Sequence, residues 1–94
     1  MAKTSLSGLL EFMAKSLVDH PEEVYVDQYE TGRTVHLDLQ VGPDDVGRVI
    51  GKQGRVANAM RALLRVVAAR HGSQVAMDIG RGVRLYARRG RDQP

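Results

Sequence analysis

The sequence predicts an α+β fold, a single domain with a three-stranded sheet and helices on one face, in the order helix, strand, strand, helix, helix, strand. Three observations carry this prediction. An N-terminal segment repeats apolar residues every three or four positions. Two neighbouring segments alternate apolar and polar residues across a short turn. A pair of amphipathic helices interrupted by glycines then leads into a last alternating segment. Strands with one apolar face and helices with one apolar stripe bury both by stacking as two layers.

Leu6, Leu9, Leu10, Met13 and Leu17 fall on one side of the first helix. Ser5 fits the N-cap, and Asp19-His20-Pro21 stops the helix, because proline disfavours helical geometry in the residue before it. Val24 and Val26, interleaved with Tyr25, Asp27 and Tyr29, read as a first strand, and Glu30-Thr31-Gly32-Arg33 as a turn. Val35, Leu37, Leu39 and Val41 alternate with Thr34, His36, Asp38 and Gln40 in the clearest strand of the chain. So short a turn makes the pair an antiparallel hairpin. Gly42-Pro43-Asp44-Asp45 opens a helix, since proline suits its first turn and the acids suit the positive end of its dipole. That helix is short, because Gly51 and Gly54 interrupt it after about two turns. Val56, Met60, Leu63, Leu64 and Val67 form the apolar stripe of the next helix, which ends at His71-Gly72. Residues 74–79 read as the third strand, with Val75, Met77 and Ile79 on one face, and Gly80-Arg81-Gly82 breaks the pattern. Two helices between strands give a connection long enough for parallel pairing.

The domain is expected over residues 1–80, with 81–94 as a flexible arginine-rich extension. Apolar residues make up 43% of the 94 positions, enough for one compact core. With no cysteine there is neither a disulfide framework nor a thiolate metal site. No segment approaches the length of an apolar membrane span, and no leader peptide is evident, so a cytoplasmic protein is expected.

Charge is segregated. Residues 1–47 hold three basic and nine acidic side chains; residues 48–70 hold six basic side chains and no acid. The end of the chain, 81–94, holds five arginines against Asp92. Such a distribution attracts polyanions, although a basic helix face is also simply a soluble one.

The informative segment is Val46-Gly47-Arg48-Val49-Ile50-Gly51-Lys52-Gln53-Gly54-Arg55-Val56. Two glycines three apart between amphipathic helices allow a sharp turn with no side chain in the way. The N–H groups that start the following helix are then open to an anion, and the helix dipole favours one. Phosphate is the natural guest. Lys52 and Arg55 add charge, Gln53 adds a neutral donor, and Val46, Val49 and Ile50 offer an apolar wall for unstacked bases.

The segment resembles a KH domain, whose Gly-x-x-Gly loop clamps about four nucleotides of single-stranded nucleic acid. The order of elements is similar to that of the bacterial, type II form. Residues 6–79 resemble the small stand-alone bacterial KhpA family, through Leu17-Val18-Asp19-His20-Pro21, Pro43-Asp44-Asp45-Val46-Gly47 and Val49-Ile50-Gly51-Lys52-Gln53-Gly54-Arg55. The resemblance implies binding of single-stranded RNA without catalysis or cofactor. It also implies a homodimer, or a heterodimer with a larger KH-containing protein, and a role as an RNA chaperone or post-transcriptional regulator linked to cell elongation and division. The RNA-contacting residues expected here are Gly47, Arg48, Ile50, Gly51, Lys52, Gln53, Gly54 and Arg55, joined by Asn58 and Arg61 on the stripe that follows. The arginine-rich end lies outside the family pattern.

Other readings are weaker on the same residues. Gly47-Arg48-Val49-Ile50-Gly51-Lys52-Gln53 is one residue short of a P-loop and has Gln53 where a Ser or Thr would hold magnesium. His20, His36 and His71 are scattered over a pre-proline position, a strand and a helix end, and assemble neither a metal site nor a general base. Arg65 reads as a solubilising residue, and Tyr25, Tyr29 and Tyr86 as packing residues rather than base-stacking platforms. The serious rival is an interaction module whose main task is dimerisation. The basic loop favours RNA.

Overall fold

A computed structural model describes residues 6–81, with the backbone alone for Arg81. The expected Ser5 cap, Tyr86 and, apart from Arg81, the extension expected over 81–94 lie outside these residues. Helix α1 spans Leu6–Leu17 and buries Leu6, Leu10 and Ala14, a strict four-residue repeat facing the core. Glu11 and Lys15 pair at 2.8 Å along its exposed side. A single 3-10 turn, Pro21–Glu23, leads into β1 (Tyr25–Thr31). Strand β2 (Thr34–Val41) follows directly, and Thr31 faces Thr34 across a turn of only two residues, tighter than the four expected.

A second 3-10 turn, Pro43–Asp45, opens α2 (Val46–Ile50). After the glycine loop comes α3 (Arg55–Arg70), and then β3 (Gln74–Arg81). The sheet order is β1-β2-β3, with β1 antiparallel and β3 parallel to the central strand. All three helices pack on one face of this mixed sheet, the two-layer arrangement that the patterning predicts. The third strand runs two residues beyond its expected end. Gly80 and Arg81 pair with Gln40 and Val41, because backbone pairing with β2 continues where the side-chain pattern stops.

The core joins Leu6, Leu10 and Ala14 of α1 to Val35, Leu37, Leu39 and Val41 of β2, and to Met60, Leu64 and Ala68 of α3. Each fully buried Leu contributes about 1.5–3 kcal/mol by leaving water. Two predicted core residues are corrected. Leu63 is 54% exposed and Leu17 is also exposed, because the helices meet along the 60–64–68 and 6–10–14 rows, leaving their flanks outside. Tyr25 and Tyr29 do not pack into the core either. Both stand on the exposed face of β1, where Tyr29 stacks on His36 with ring centroids 4.6 Å apart.

Candidate nucleic-acid interface

The loop between α2 and α3 is built from unusual backbone angles. Gly51 has φ 78° and ψ 174°, a combination that only glycine occupies readily. A Cβ placed there would stand 2.5 Å from Val56 Cγ2 and 2.9 Å from the Val56 nitrogen, so glycine is required twice over. Gln53 (φ 56°, ψ 26°) and Gly54 (φ 76°, ψ 15°) are both left-handed. A left-handed glutamine is strained, and such strain concentrates at binding loops. The Gly51 N–H bonds the Gly47 carbonyl at 2.8 Å, and the Gly54 N–H bonds the Gly51 carbonyl at 3.2 Å, which folds the loop tightly onto the end of α2.

The loop points its chemistry outward. Lys52, Gln53 and Arg55 are exposed, and no side chain caps the N-terminus of α3. The sixteen-residue helix therefore presents first-turn N–H groups and the positive end of its dipole beside two cationic side chains. Asn58, one turn on, lies next to Gly54, its Nδ2 being 3.9 Å from where a Gly54 Cβ would sit. Arg61 donates to Asn58 Oδ1 at 3.3 Å, and its Nε and Nη2 both reach the Met77 carbonyl at 3.3 Å. A continuous stripe thus runs from the loop along α3 to β3. It ends in a hollow lined by Arg61, Leu64, Arg65 and the β3 residues Val75, Ala76, Met77 and Asp78. Arg65, read from sequence as solubilising, shares this hollow.

Of the ten residues singled out in the sequence, the structure brings Gly51, Lys52, Gln53, Gly54, Arg55, Asn58 and Arg61 onto this one track. Gly47 is exposed on α2, with open space where a side chain would stand, and Ile50 is half-buried at the helix end. Val49 is fully buried in the core, so it is not part of an exposed apolar wall. Arg48 faces elsewhere. Its guanidinium pairs with Asp19 at 2.9 Å and with Asp45 at 3.4 Å.

Two features escaped the sequence reading. Asp45 stands at the N-cap position of α2, but its side chain makes no capping bond there; it is buried and accepts the backbone N–H groups of Asp19 and His20. No local pattern distinguishes such a carboxylate from a capping one. The other is the outer edge of β3. As the last strand in the order, β3 turns a row of backbone groups away from the sheet, next to the basic stripe of α3. Strand order is not written in one sequence.

Among the described residues, no group of three His, Asp or Glu side chains is placed to hold a metal, and no helix is long and apolar enough to cross a membrane.

Comparison with known proteins agrees with the geometry. RNA-binding protein KhpA of Halalkalibacterium halodurans is 45% identical over 74 residues, covering 79% of this chain and 97% of that protein. The protein of the same name from Aquifex aeolicus is 40% identical over 76 residues, covering 81% of this chain and 96% of that one. Among solved structures, Aquifex aeolicus Era bound to GDP and aluminium fluoride superposes with a TM-score of 0.60 at 16% identity. Era in complex with MgGDPNP and a segment of 16S ribosomal RNA gives 0.55, also at 16% identity. Both cover 81% of this chain but only 29% of Era, and at that identity they speak for the fold alone. The family model for the KhpA/KhpB KH domain matches residues 7–79. With that match and those identities, the chain belongs to the KhpA/KhpB family, and its fold is a type II KH domain.

Proposed function

We propose that this protein binds single-stranded RNA, without catalysis, by clamping about four nucleotides of backbone on the loop Gly51-Lys52-Gln53-Gly54. The observation that carries this reading is the loop itself: a glycine pressed against Val56, left-handed angles at Gln53 and Gly54, and an uncapped helix start flanked by Lys52 and Arg55. Phosphates meet N–H groups and cations there, while Asn58, Arg61 and the outer edge of β3 face the bases. The names of the relatives, RNA-binding protein KhpA, support the same ligand. Gly47 and Ile50 flank the track, and Arg48 serves it indirectly by fixing α2.

One domain offers few ionic contacts, so pairing two of them raises affinity through effective concentration. The pairing face we assign is the apolar hollow between α1 and α3, lined by Phe12, Leu17 and Leu63 among others. Phe12 is 70% exposed there, the observation that favours the dimerisation reading alongside RNA binding. The partner is a second copy or a larger KH-containing protein, and the pair acts in the cytoplasm in post-transcriptional control linked to cell elongation and division.

The test is to map amide shifts of the protein on titration with a short mixed-sequence single-stranded RNA. Shifts should concentrate between Gly47 and Arg61 and at β3. Binding that perturbs only the α1–α3 hollow, or no binding, would overturn the assignment.

A further inference from the structure

The half-buried side chain of Arg61 is tied down on two sides. Its Nε and Nη2 both donate to the Met77 carbonyl at 3.3 Å, and its Nη1 donates to Asn58 Oδ1 at 3.3 Å. A guanidinium carries five N–H groups in one plane. These bonds use three of them, so one N–H on each of the two terminal nitrogens has no acceptor among the described residues. The Met77 carbonyl belongs to the outer edge of β3, since a side chain of α3 reaches it and β3 is last in the strand order. With that carbonyl taken, this stretch of edge presents donors where a bare strand would present an acceptor. Arg61 also lines the hollow beside it, about 360 Å³ in volume, which has an apolar side of Leu64, Val75 and Ala76. That volume lies in the range of sites that take a small ring system.

We propose that Arg61 determines which base this hollow accepts: one that sets two acceptors side by side, guanine through O6 and N7 or unpaired cytosine through O2 and N3, over adenine and uracil. The proposal rests on the RNA-binding reading above and adds the chemistry of the base. Two donors on one rigid plane match two adjacent acceptors, the geometry by which arginine reads guanine O6 and N7. Adenine sets its N6 amine beside both N7 and N1, so a donor would meet a donor. Uracil separates its two carbonyl oxygens by the N3–H, and offers the pair only one acceptor at a time. A base that leaves buried polar groups unpaired is the one rejected. The contacts to Met77 and Asn58 hold the guanidinium in place before RNA arrives, so little further ordering is needed on binding. Asn58 is thereby a positioning residue for Arg61.

The test measures the affinity of the full chain for four labelled RNA hexamers, UUUXUU, in which X is G, C, A or U. The hexamer with G, with C, or both should bind about fivefold to a hundredfold more tightly than those with A or U, the discrimination that one bidentate contact gives. Which of the two gains identifies the source of the acceptor pair. Replacing the preferred base by its deaza analogue, 7-deazaguanosine or 3-deazacytidine, removes one acceptor and should bring affinity down to that of the U hexamer. Arg61→Lys keeps the charge but not the planar donor pair, so the ratio between preferred and U hexamers should fall to within about twofold, whatever happens to affinity as a whole. A merely structural Arg61 would not move that ratio. Four equal affinities, or a preference for A or U, would overturn the proposal while leaving RNA binding in place. A preference that survives the deaza analogue or Arg61→Lys would overturn it as well. If Arg61→Lys does not fold, the deaza analogue on the parent chain still decides. Binding of none of the hexamers would overturn the RNA-binding reading and this inference together.

Discussion

Arg48 Nη2 donates to Asp19 Oδ2 at 2.9 Å, joining α2 to the end of α1 across 29 residues of sequence. Beneath this exposed pair, the buried carboxylate of Asp45 accepts the N–H groups of Asp19 at 3.1 Å and His20 at 3.0 Å. The two acids thus hold α2, and with it the start of the glycine loop, against the first helix. The charge of Arg48 is already balanced, which separates it from Lys52 and Arg55 in what it can do for RNA.

Asp45→Ala should therefore be among the most destabilising single changes outside the apolar core. It leaves two backbone donors without their acceptor and Arg48 without one of its partners, a loss of about 2–4 kcal/mol. Urea denaturation measures it. Arg48→Ala breaks the exposed pair with Asp19 and the longer 3.4 Å contact to buried Asp45, which keeps its two backbone donors. It should cost less than Asp45→Ala, about 1–2 kcal/mol, and lower RNA affinity less than Lys52→Ala.

The two loop glycines should differ. Gly51→Ala meets both a forbidden backbone conformation and Val56 at 2.5 Å, and should cost about 2–4 kcal/mol or displace the loop. Gly54→Ala meets only an ordinary contact, Asn58 Nδ2 at 3.9 Å, and the left-handed φ, and should cost about 1–2 kcal/mol. Thermal melts of the two variants decide the order. A Gly54 variant less stable than its Gly51 counterpart would contradict this account of the loop.

Much of this architecture was legible in the sequence because period and position agree. Val35, Leu37, Leu39 and Val41 alternate without exception, and all four are buried. The loop was legible because glycines at 51 and 54 between two helices have few other uses. What failed were residues whose role depends on a distant element. Leu63 obeys the helical period but lies on the flank of the α1–α3 contact, and Asp45 looks like a cap but reaches back to α1. Val49 and Ile50 are adjacent and equally apolar, yet only Val49 faces the core.

The exposed apolar hollow gives a prediction about assembly. Leu63→Glu places a charge beside Phe12 and Leu17 on a residue already in water, so monomer stability should change by less than about 0.5 kcal/mol. Sedimentation should show the parent as a dimer and the variant as a monomer. A variant that remains dimeric would move the pairing face elsewhere.

Salt gives a third kind of evidence. A loop and helix start that neutralise about three phosphates of a single strand should give a log–log slope of affinity against salt of roughly −2. The cations concerned are Lys52, Arg55 and those further along α3. Affinity that stays flat from low to moderate salt would remove the electrostatic part of the account.

The central claim is that the loop clamps the RNA backbone, and the double variant Lys52→Asp with Gln53→Asp tests it most directly. Both side chains are exposed, both glycines remain, and aspartate tolerates the left-handed angles of position 53 better than most residues. Fold, melting temperature and assembly state should therefore persist. Two negative charges would stand where phosphate binds, and a charge-assisted contact would be lost, so affinity for single-stranded RNA should fall by about tenfold to a hundredfold. The measurement is RNA affinity by fluorescence anisotropy, with melting temperature and mass recorded on the same preparation. A folded double variant that loses at least tenfold in affinity is the predicted result; one that binds RNA as tightly as the parent contradicts the claim that this loop is the clamp.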